Sequence, residues 1–230
     1  MTRVDKHDLF VAVPCLPGGM SWQLALLLVH LGKRDDTYIW AKDGFENVPA
    51  ARNFITSTFL QSDYKRLWFF DCDVIPSPNA LEILDMEGDI VSGTYPTMRY
   101  YAHQAEARWI FVNKKGRHPL LEADGGVKDV GSVGMGCTII KRRVFCKKME
   151  LGQTKIMTDE GQKDFPVYWQ NIYKPDGRIE NTEDGDFCKR AGEAGFSIRC
   201  NPDVRFGHLK MTDLRLLRPL LSSENEVVRA

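Results

Sequence analysis

Asp71 and Asp73 stand two apart near the end of the run RLWFFDCDV (66–74), which is apolar up to the first carboxylate and is followed by Pro76 and Pro78. Read as one strand, the run sends both carboxylates off the same face and Cys72 off the other. Two like charges at the end of a buried strand are costly unless something positive neutralises them, and a divalent cation does so directly. The ordinary alternative is a pair of solvated turn aspartates, which the apolar residues before them disfavour. His208, in RFGHLK (205–210), is a lone histidine that a surface or core position would also explain. Beside an Asp-x-Asp pair it becomes a candidate third ligand, and mixed carboxylate and imidazole coordination favours Mn2+ over Mg2+. Lys210 follows two residues later as a point charge for a phosphate oxygen.

Glu183 and Asp184 open a helical pattern, where the helix dipole is expected to favour their ionised forms and lower their pKa. An ionised carboxylate beside a reacting centre can deprotonate an acceptor hydroxyl, although capping of a first helical turn accounts for the same residues. Asp186 is a helper to that pair or a neighbour of the cap. Gly134 and Gly136, in GGVKDVGSVGMG (125–136), either let backbone approach a sugar closely or form a bulge or hairpin turn. The segment is no P-loop, because no Gly-Lys-Ser/Thr follows at the required spacing. Arg52 is either a phosphate contact or an exposed helical residue.

These side chains need elements to hold them. Residues 10–14 read as a first strand ending at Pro14, where Pro17 and Gly18-Gly19 turn the chain beside a ligand position. Ser21 caps a helix to Leu31 with Gly32 as its stop. A second strand over 36–41 turns at Lys42-Asp43-Gly44, and a helix over 49–60 begins on Pro49. The run 66–74 is a central strand, 81–86 a short helix and 89–93 another buried strand, an alternation that predicts a parallel sheet over the first hundred residues. Further on, the pattern predicts a strand at 138–140, a helix near 143–148, a helix from Asn181 or Thr182 to about Ala194 stopped by Gly195, and a last strand at 196–199. From Arg215 the chain reads as a short Leu-rich helix with a polar end.

At 230 residues, 43% hydrophobic and 27% charged, the chain can bury a sizeable core. No apolar stretch near the N-terminus approaches the roughly 20 residues that cross a bilayer, and MTRVDKHDLF (1–10) lacks the apolar region of a secretory signal. A cytoplasmic protein is expected. Six cysteines without C-x-x-C pairs or zinc spacing read as buried thiols. The net charge of zero gives no overall pull toward nucleic acid. Charge is uneven, however: residues 97–150 hold eleven Lys and Arg against five Asp and Glu, either a face for something anionic or a solvated surface.

In their order, PAARN (49–53), LWFFDCDVIPSPNAL (67–81), DIVSGTYP (89–96), VGMGCTIIKRRVF (133–145), TEDGDFCKRAGEAGF (182–196) and GHLK (207–210) resemble the GT-A glycosyltransferases. The likeness is to the large inverting family that includes cellulose and hyaluronan synthases and many small soluble members, and it covers about residues 10–210. It implies an α/β fold of Rossmann-like, nucleotide-diphospho-sugar transferase type, a single domain over 1–210 with a mainly parallel mixed sheet. A nucleotide-binding half would span about 8–96 and an acceptor-side half 97–210, with a tail at 211–230. By the same resemblance Asp71 contacts ribose or metal, Asp73 binds metal, His208 completes the coordination, Asp43 and Arg52 lie near the nucleotide, and Asp184 of the Glu183-Asp184 pair is the base. The implied donor is a nucleotide-sugar, a UDP-hexose first, bound with Mn2+ or Mg2+. The Gln-x-x-Arg-Trp motif and membrane helices of processive members are missing, which points to transfer of a single sugar.

Small soluble relatives occur in phages, and some glucosylate hydroxymethylated pyrimidines in DNA. Arg99, Tyr100, Tyr101, Arg108 and Trp109 would supply phosphate contacts and stacking for such an acceptor in an infected bacterial cytoplasm. A glycan or a protein is the other acceptor expected. Two rival readings use the same residues. The Asp-x-Asp-x-Val strand also resembles haloacid dehalogenase phosphatases, with Asp71 as nucleophile, but it is not first in the chain and the intermediate Ser/Thr and Lys motifs have no match. A non-catalytic sugar-nucleotide-binding module would have shed the carboxylates that this chain keeps.

Overall fold

The structure is a computed structural model that describes residues 7–15, 19–45, 47–101, 104–109, 111–112, 126–158 and 161–209, with side chains described for all but 97–112 and 156–158. Its centre is a seven-stranded mixed sheet built from β1 (Leu9–Pro14), β2 (Thr37–Lys42), β3 (Arg66–Phe70), β4 (Ile90–Thr94), β5 (Lys128–Asp129), β6 (Cys137–Lys141) and β7 (Ile198–Arg205) in the order β2-β1-β3-β6-β4-β7-β5. β1 pairs in parallel with β2 and β3, and β4 with β7. β6 is antiparallel to both β3 and β4, and β5 to β7. Strands from both expected halves of the chain therefore share one sheet, and its pairings divide evenly between parallel and antiparallel rather than being mainly parallel.

The near-continuous apolar runs of β1 and β3 follow from burial on both faces. Leu9, Val11, Val13, Trp68 and Phe70 enter one layer, where α1 (Trp22–Leu31) supplies Leu24, Leu28 and Leu31. Phe10, Ala12, Leu67 and Phe69 enter the other, under α2 (Val48–Leu60) and α3 (Glu183–Glu193) through Ile55, Phe59, Phe187 and Ala191. Ser21 Oγ accepts from Leu24 N at 3.1 Å and Asn47 Oδ1 from Ala50 N at 2.9 Å, so α1 and α2 each begin on a side-chain cap. No helix among the described residues is long and apolar enough to cross a membrane.

Several expectations are corrected. The run 66–74 is not one strand: β3 ends at Phe70, and Val74 N bonds to Asp71 O, so residues 71–73 form a turn. Pairing supplies the reason, since β6 accompanies β3 only to Phe70, where it meets Cys137. The expected helix near 143–148 is two single 3-10 turns, Arg142–Val144 and Lys147–Met149. The last strand runs on to Arg205, and Pro202 falls in a stretch of it where the pairing with β4 is interrupted. Two antiparallel hairpins precede α3, Gly152–Thr158 with Gly161–Val167 and Ile172–Tyr173 with Ile179–Asn181, so Asn181 ends a strand and Thr182 is the residue before the helix. The expected helix after Arg215 lies outside the described residues.

Part of the basic segment has a structural use. The Arg142 guanidinium donates to the carbonyls of Phe59, Ser62 and Tyr64, closing the C-terminal end of α2 where carbonyls lack helical partners. Arg143 pairs with Asp89 and Lys147 with Glu150. Arg142 is thereby used within the fold, while Arg143 and Lys147 make their pairs at the surface, with 68% and 85% side-chain exposure.

Candidate active site

The carboxyl ends of β1, β3, β4 and β7 open on one side of the sheet, the side where open α/β sheets bind ligands. A cleft of about 190 Å³ lies there, and its walls include Pro14 at the end of β1, Cys15 after it, Asp71, Cys72 and Asp73 after β3, Tyr95 after β4 and His208 after β7. Phe45, Asn47, Val48 and Ala51 close it from the start of α2. His208 is held in a short antiparallel pairing of residues 207–208 with 74–75, and Leu209 N donates to Asp73 O at 2.7 Å. The turn that breaks the strand is thus what brings Asp73 to His208.

The imidazole is oriented on both sides. His208 Nδ1 lies 2.7 Å from the carbonyl oxygen of Pro96, which can only accept, so Nδ1 carries the hydrogen. In the neutral ring Nε2 is then a lone-pair acceptor, and it faces Asp73 Oδ2 at 3.2 Å. Two acceptors at that distance call for a cation or proton between or beside them. A ring N–H committed to a carbonyl is also the usual partner arrangement of a metal-bound histidine. The Tyr95 ring meets the imidazole edge-on, with centroids 5.1 Å apart.

Asp71 is turned the other way. Its Oδ2 lies 3.5 Å from Arg52 Nη2, and the same guanidinium lies 3.4 Å from both Glu183 Oε1 and Asp184 Oδ1. Arg52 keeps only 2% side-chain exposure, so it is not an exposed helical residue. Phe69 and Trp169 flank it, their ring centroids 5.3 and 5.8 Å from Cζ. Among the described residues, no three His, Cys, Asp or Glu side chains converge as a preformed metal shell. Asp73 and His208 supply a pair, while Asp71 lines the same cleft but is drawn toward Arg52.

Asp184 accepts from Met135 N at 3.1 Å through Oδ2, and its side chain keeps 19% exposure. Burial pushes its carboxyl up to about 7, Glu183 and Asp71 add to the rise, and Arg52 and the Met135 N–H oppose it. The expected lowering by the helix dipole is overturned at Asp184, because desolvation and two nearby carboxylates outweigh a partial positive charge. Asp186 is spent elsewhere, pairing at 2.8 Å with Arg190, which also donates to the carbonyls of Met149 and Tyr168.

Neighbouring groups lock the cluster. Asn53, next to Arg52 on α2, accepts from Tyr168 N and Trp169 N and donates to Trp169 O. The Trp169 indole donates to Thr56 at 2.9 Å and stacks on Phe187 of α3, with centroids 4.0 Å apart. Asn171 Oδ1 accepts from Glu183 N at 3.0 Å, so the cap of α3 comes from a remote loop, and Thr182 makes no side-chain cap bond. Gly136 donates N–H to Tyr95 Oη at 3.1 Å and accepts from Asp71 N at 3.0 Å. A Cβ there would stand 3.0 Å from Asp71 Oδ2, so the protein's own side chains require this glycine. Gly134 is buried, and its carbonyl accepts from Thr138 at 2.7 Å.

Asp43 is exposed after β2, and Lys210 lies outside the described residues. Tyr95, Asn53, Trp169 and Asn171 were not singled out from sequence. Tyr95 carried the clearest signal, as a polar-tipped residue directly after a buried strand at the sheet's carboxyl end. The other three act through pairs 12 to 116 residues apart in the chain, which no local pattern displays.

No family model matches the chain, and no curated protein matches it in sequence. Among solved structures it is similar to A197 from STIV, at 17% identity over 89% of this chain and 86% of that one, with a TM-score of 0.49. GalNAc-T7, solved with UDP, GalNAc and Mn2+, matches at 10% identity over 92% of this chain and 45% of that one, with a TM-score of 0.48. The inositol-1-phosphate CTP transferase from T. maritima matches at 11% identity over 97% and 78%, with a TM-score of 0.37. Likeness of this degree carries no inference about activity.

Proposed function

We propose that the chain is a metal-dependent glycosyltransferase of GT-A type that moves one sugar from a nucleotide-sugar, a UDP-hexose first, to an acceptor hydroxyl. One observation carries the reading: Nε2 of His208, whose Nδ1 is bonded to Pro96 O, faces the Asp73 carboxylate at 3.2 Å inside a cleft at the carboxyl edge of the sheet. Asp73 and His208 fit a divalent cation, with Asp71 within reach of the same cleft, and a cation there supplies charge neutralisation for a departing diphosphate.

The remaining roles are those the resemblance implies. Asp184 is the base: it takes the proton of the acceptor hydroxyl as that oxygen bonds to the anomeric carbon and the bond from that carbon to the diphosphate oxygen breaks. A carboxylate with a pKa of about 7 is a stronger base than an ordinary aspartate. Arg52 positions Asp184 and Glu183 against Asp71, and Pro14, Asp43, Gly134, Gly136 and Lys210 remain donor-side candidates. The acceptor is a glycan or protein hydroxyl or, as one arm of the test, 5-hydroxymethylpyrimidine in DNA.

The test is incubation with a panel of UDP- and GDP-sugars and Mn2+, with and without 5-hydroxymethylcytosine DNA, reading nucleotide release and product mass. Mn2+-dependent release that Asp73→Ala abolishes supports the reading, and a hexose mass gained by DNA identifies the acceptor. If no donor in the panel is turned over with metal present, the proposal fails and phosphatase substrates become the next assay.

A further inference from the structure

Cys15 and Cys72 are the two cysteines that line the cleft. β1 and β3 run side by side in parallel, with Leu9 opposite Arg66 and Ala12 opposite Phe69. Carried on past the paired residues, from 12 and 69 to 15 and 72, that register sets Cys15 opposite Cys72. Backbone bonds support the extension on both strands. Cys15 N donates to Lys42 O at 2.8 Å, so the ladder with β2 outlasts β1, and Asp71 N donates to Gly136 O at 3.0 Å just past the end of β3. Neighbouring strands lie about 4.8 Å apart, inside the roughly 4.4–6.8 Å between Cα atoms that a disulfide spans. Burial pushes the Cys15 thiol up, and Cys72 is the next contributor, as a close neighbour would be.

The two thiols differ in access. Cys72 is buried, in the turn that carries Asp71 and Asp73, while Cys15 is half-buried. Cys15 Sγ donates to Val13 O at 3.6 Å, a weak bond that rotation about χ1 gives up. Cys137, Cys188 and Cys200 lie in the core, and Cys146 is packed against it on the side of α2 and α3. A small reagent entering the cleft therefore meets Cys15 first and finds Cys72 beside it.

We propose that Cys15 and Cys72 form a site of reversible oxidative modification in the wall of the cleft, closed to an intrachain disulfide by a low-molecular-weight disulfide. The Cys15 thiolate attacks one sulfur of that reagent, forms a mixed disulfide and releases one thiolate; the Cys72 thiolate then attacks the Cys15 sulfur and releases the second. Each protein thiol gives its proton to solvent and each departing thiolate takes one up, so the reagent is reduced to two thiols as the pair is oxidised. The new bond ties the end of β1 to the turn that carries Asp71 and Asp73. The site does not depend on the reaction proposed for the cleft, so its test needs no turnover.

The experiment treats the native full chain with bis(2-hydroxyethyl) disulfide at mildly alkaline pH, quenches with acid, blocks the remaining thiols with N-ethylmaleimide in denaturant and maps the peptides by mass spectrometry. The expected product is a disulfide between Cys15 and Cys72 within one chain, which dithiothreitol reverses. In Cys72→Ser the reaction should stop at the mixed disulfide, so the reagent's adduct on Cys15 rises about tenfold or more over the wild type, because the resolving thiol is gone. Cys15→Ser, a change at a half-buried position, should abolish the disulfide and leave Cys72 as a thiol, which keeps the test decisive if Cys72→Ser does not fold. A mixed disulfide that persists on wild-type Cys15, a disulfide to another cysteine or between chains, or thiols left intact throughout overturns the inference.

Discussion

Arg52 Nη2 stands 3.4 Å from Asp184 Oδ1, and that oxygen has no hydrogen bond. The contact joins α2 to the first turn of α3, and the same guanidinium reaches Asp71 beyond β3. One buried cation thus fixes the proposed base relative to Asp71 at the cleft. Replacing it by Gln leaves Asp71, Glu183 and Asp184 without their shared counter-charge. Breaking a buried ion pair in this way costs about 3–5 kcal/mol. Arg52→Gln is expected to lower the unfolding midpoint strongly, while Arg52→Lys, which keeps the charge, recovers part of it. A phosphate-binding arginine would instead raise KM for the donor and leave stability nearly unchanged, so thermal unfolding set beside donor KM separates the two roles.

The raised carboxyl of Asp184 gives two opposite pH effects. Because its folded pKa is about 7, above an unfolded value near 3.9, its protonated form is favoured by folding. Its contribution to stability is fully present below the unfolded value and is lost as pH rises toward 7. Activity runs the other way, since a base must be ionised: kcat/KM should climb through about pH 7 and level off above it. Asp184→Asn should flatten that limb, lower kcat by about a hundredfold or more, and raise the unfolding midpoint at pH 8 relative to wild type but not at pH 4. An Asn variant that is destabilised at pH 8 would overturn the assignment.

How much of this was legible in sequence depends on the range of the interaction. β1, β3 and the helices at 22–31 and 48–60 carry their signals locally, as apolar runs, caps at Ser21 and Asn47 and a proline at the first turn. The insertion of β6 between β3 and β4 left no such mark, because pairing partners 67 to 75 residues apart need only be apolar and β-branched or aromatic. At the site, Asp73 and His208 were expected together and lie together. Arg52 was read as a surface or phosphate contact because position on a helix says nothing of which carboxylates the fold brings to it. The strand assigned to Asp71 and Asp73 failed for a related reason, since an apolar run shows what is buried but not where its partner strand stops.

Gly136 gives a steric test. A methyl group there would lie 2.9 Å from Tyr95 Oη and 3.0 Å from Asp71 Oδ2, and both neighbours are tied to this backbone by hydrogen bonds. Overpacking of a tight site costs about 1–3 kcal/mol. Gly136→Ala should therefore lower stability within that range and, by displacing Asp71, reduce kcat more than it changes donor KM. Equal stability and unchanged kcat would show that the Asp71 position is unimportant.

The Asp73 and His208 pair makes the sharpest prediction for metal. Because Nδ1–H is committed to Pro96, Nε2 is the ring nitrogen left to face a cation. Mn2+ titrated into the wild-type chain with UDP should bind, read by the electron paramagnetic resonance signal of free Mn2+. His208→Ala and Asp73→Asn should each weaken that binding by about tenfold or more, since each removes one of the two groups that face each other in the cleft. Asp71→Asn discriminates further. If Asp71 stays with Arg52, the substitution changes Mn2+ affinity by less than about threefold and shows its main effect on stability, as for other members of a buried ion cluster. If instead Asp71 swings to the cation when donor and metal are present, Asp71→Asn matches Asp73→Asn in Mn2+ affinity, and the Arg52 cluster opens each time the donor binds.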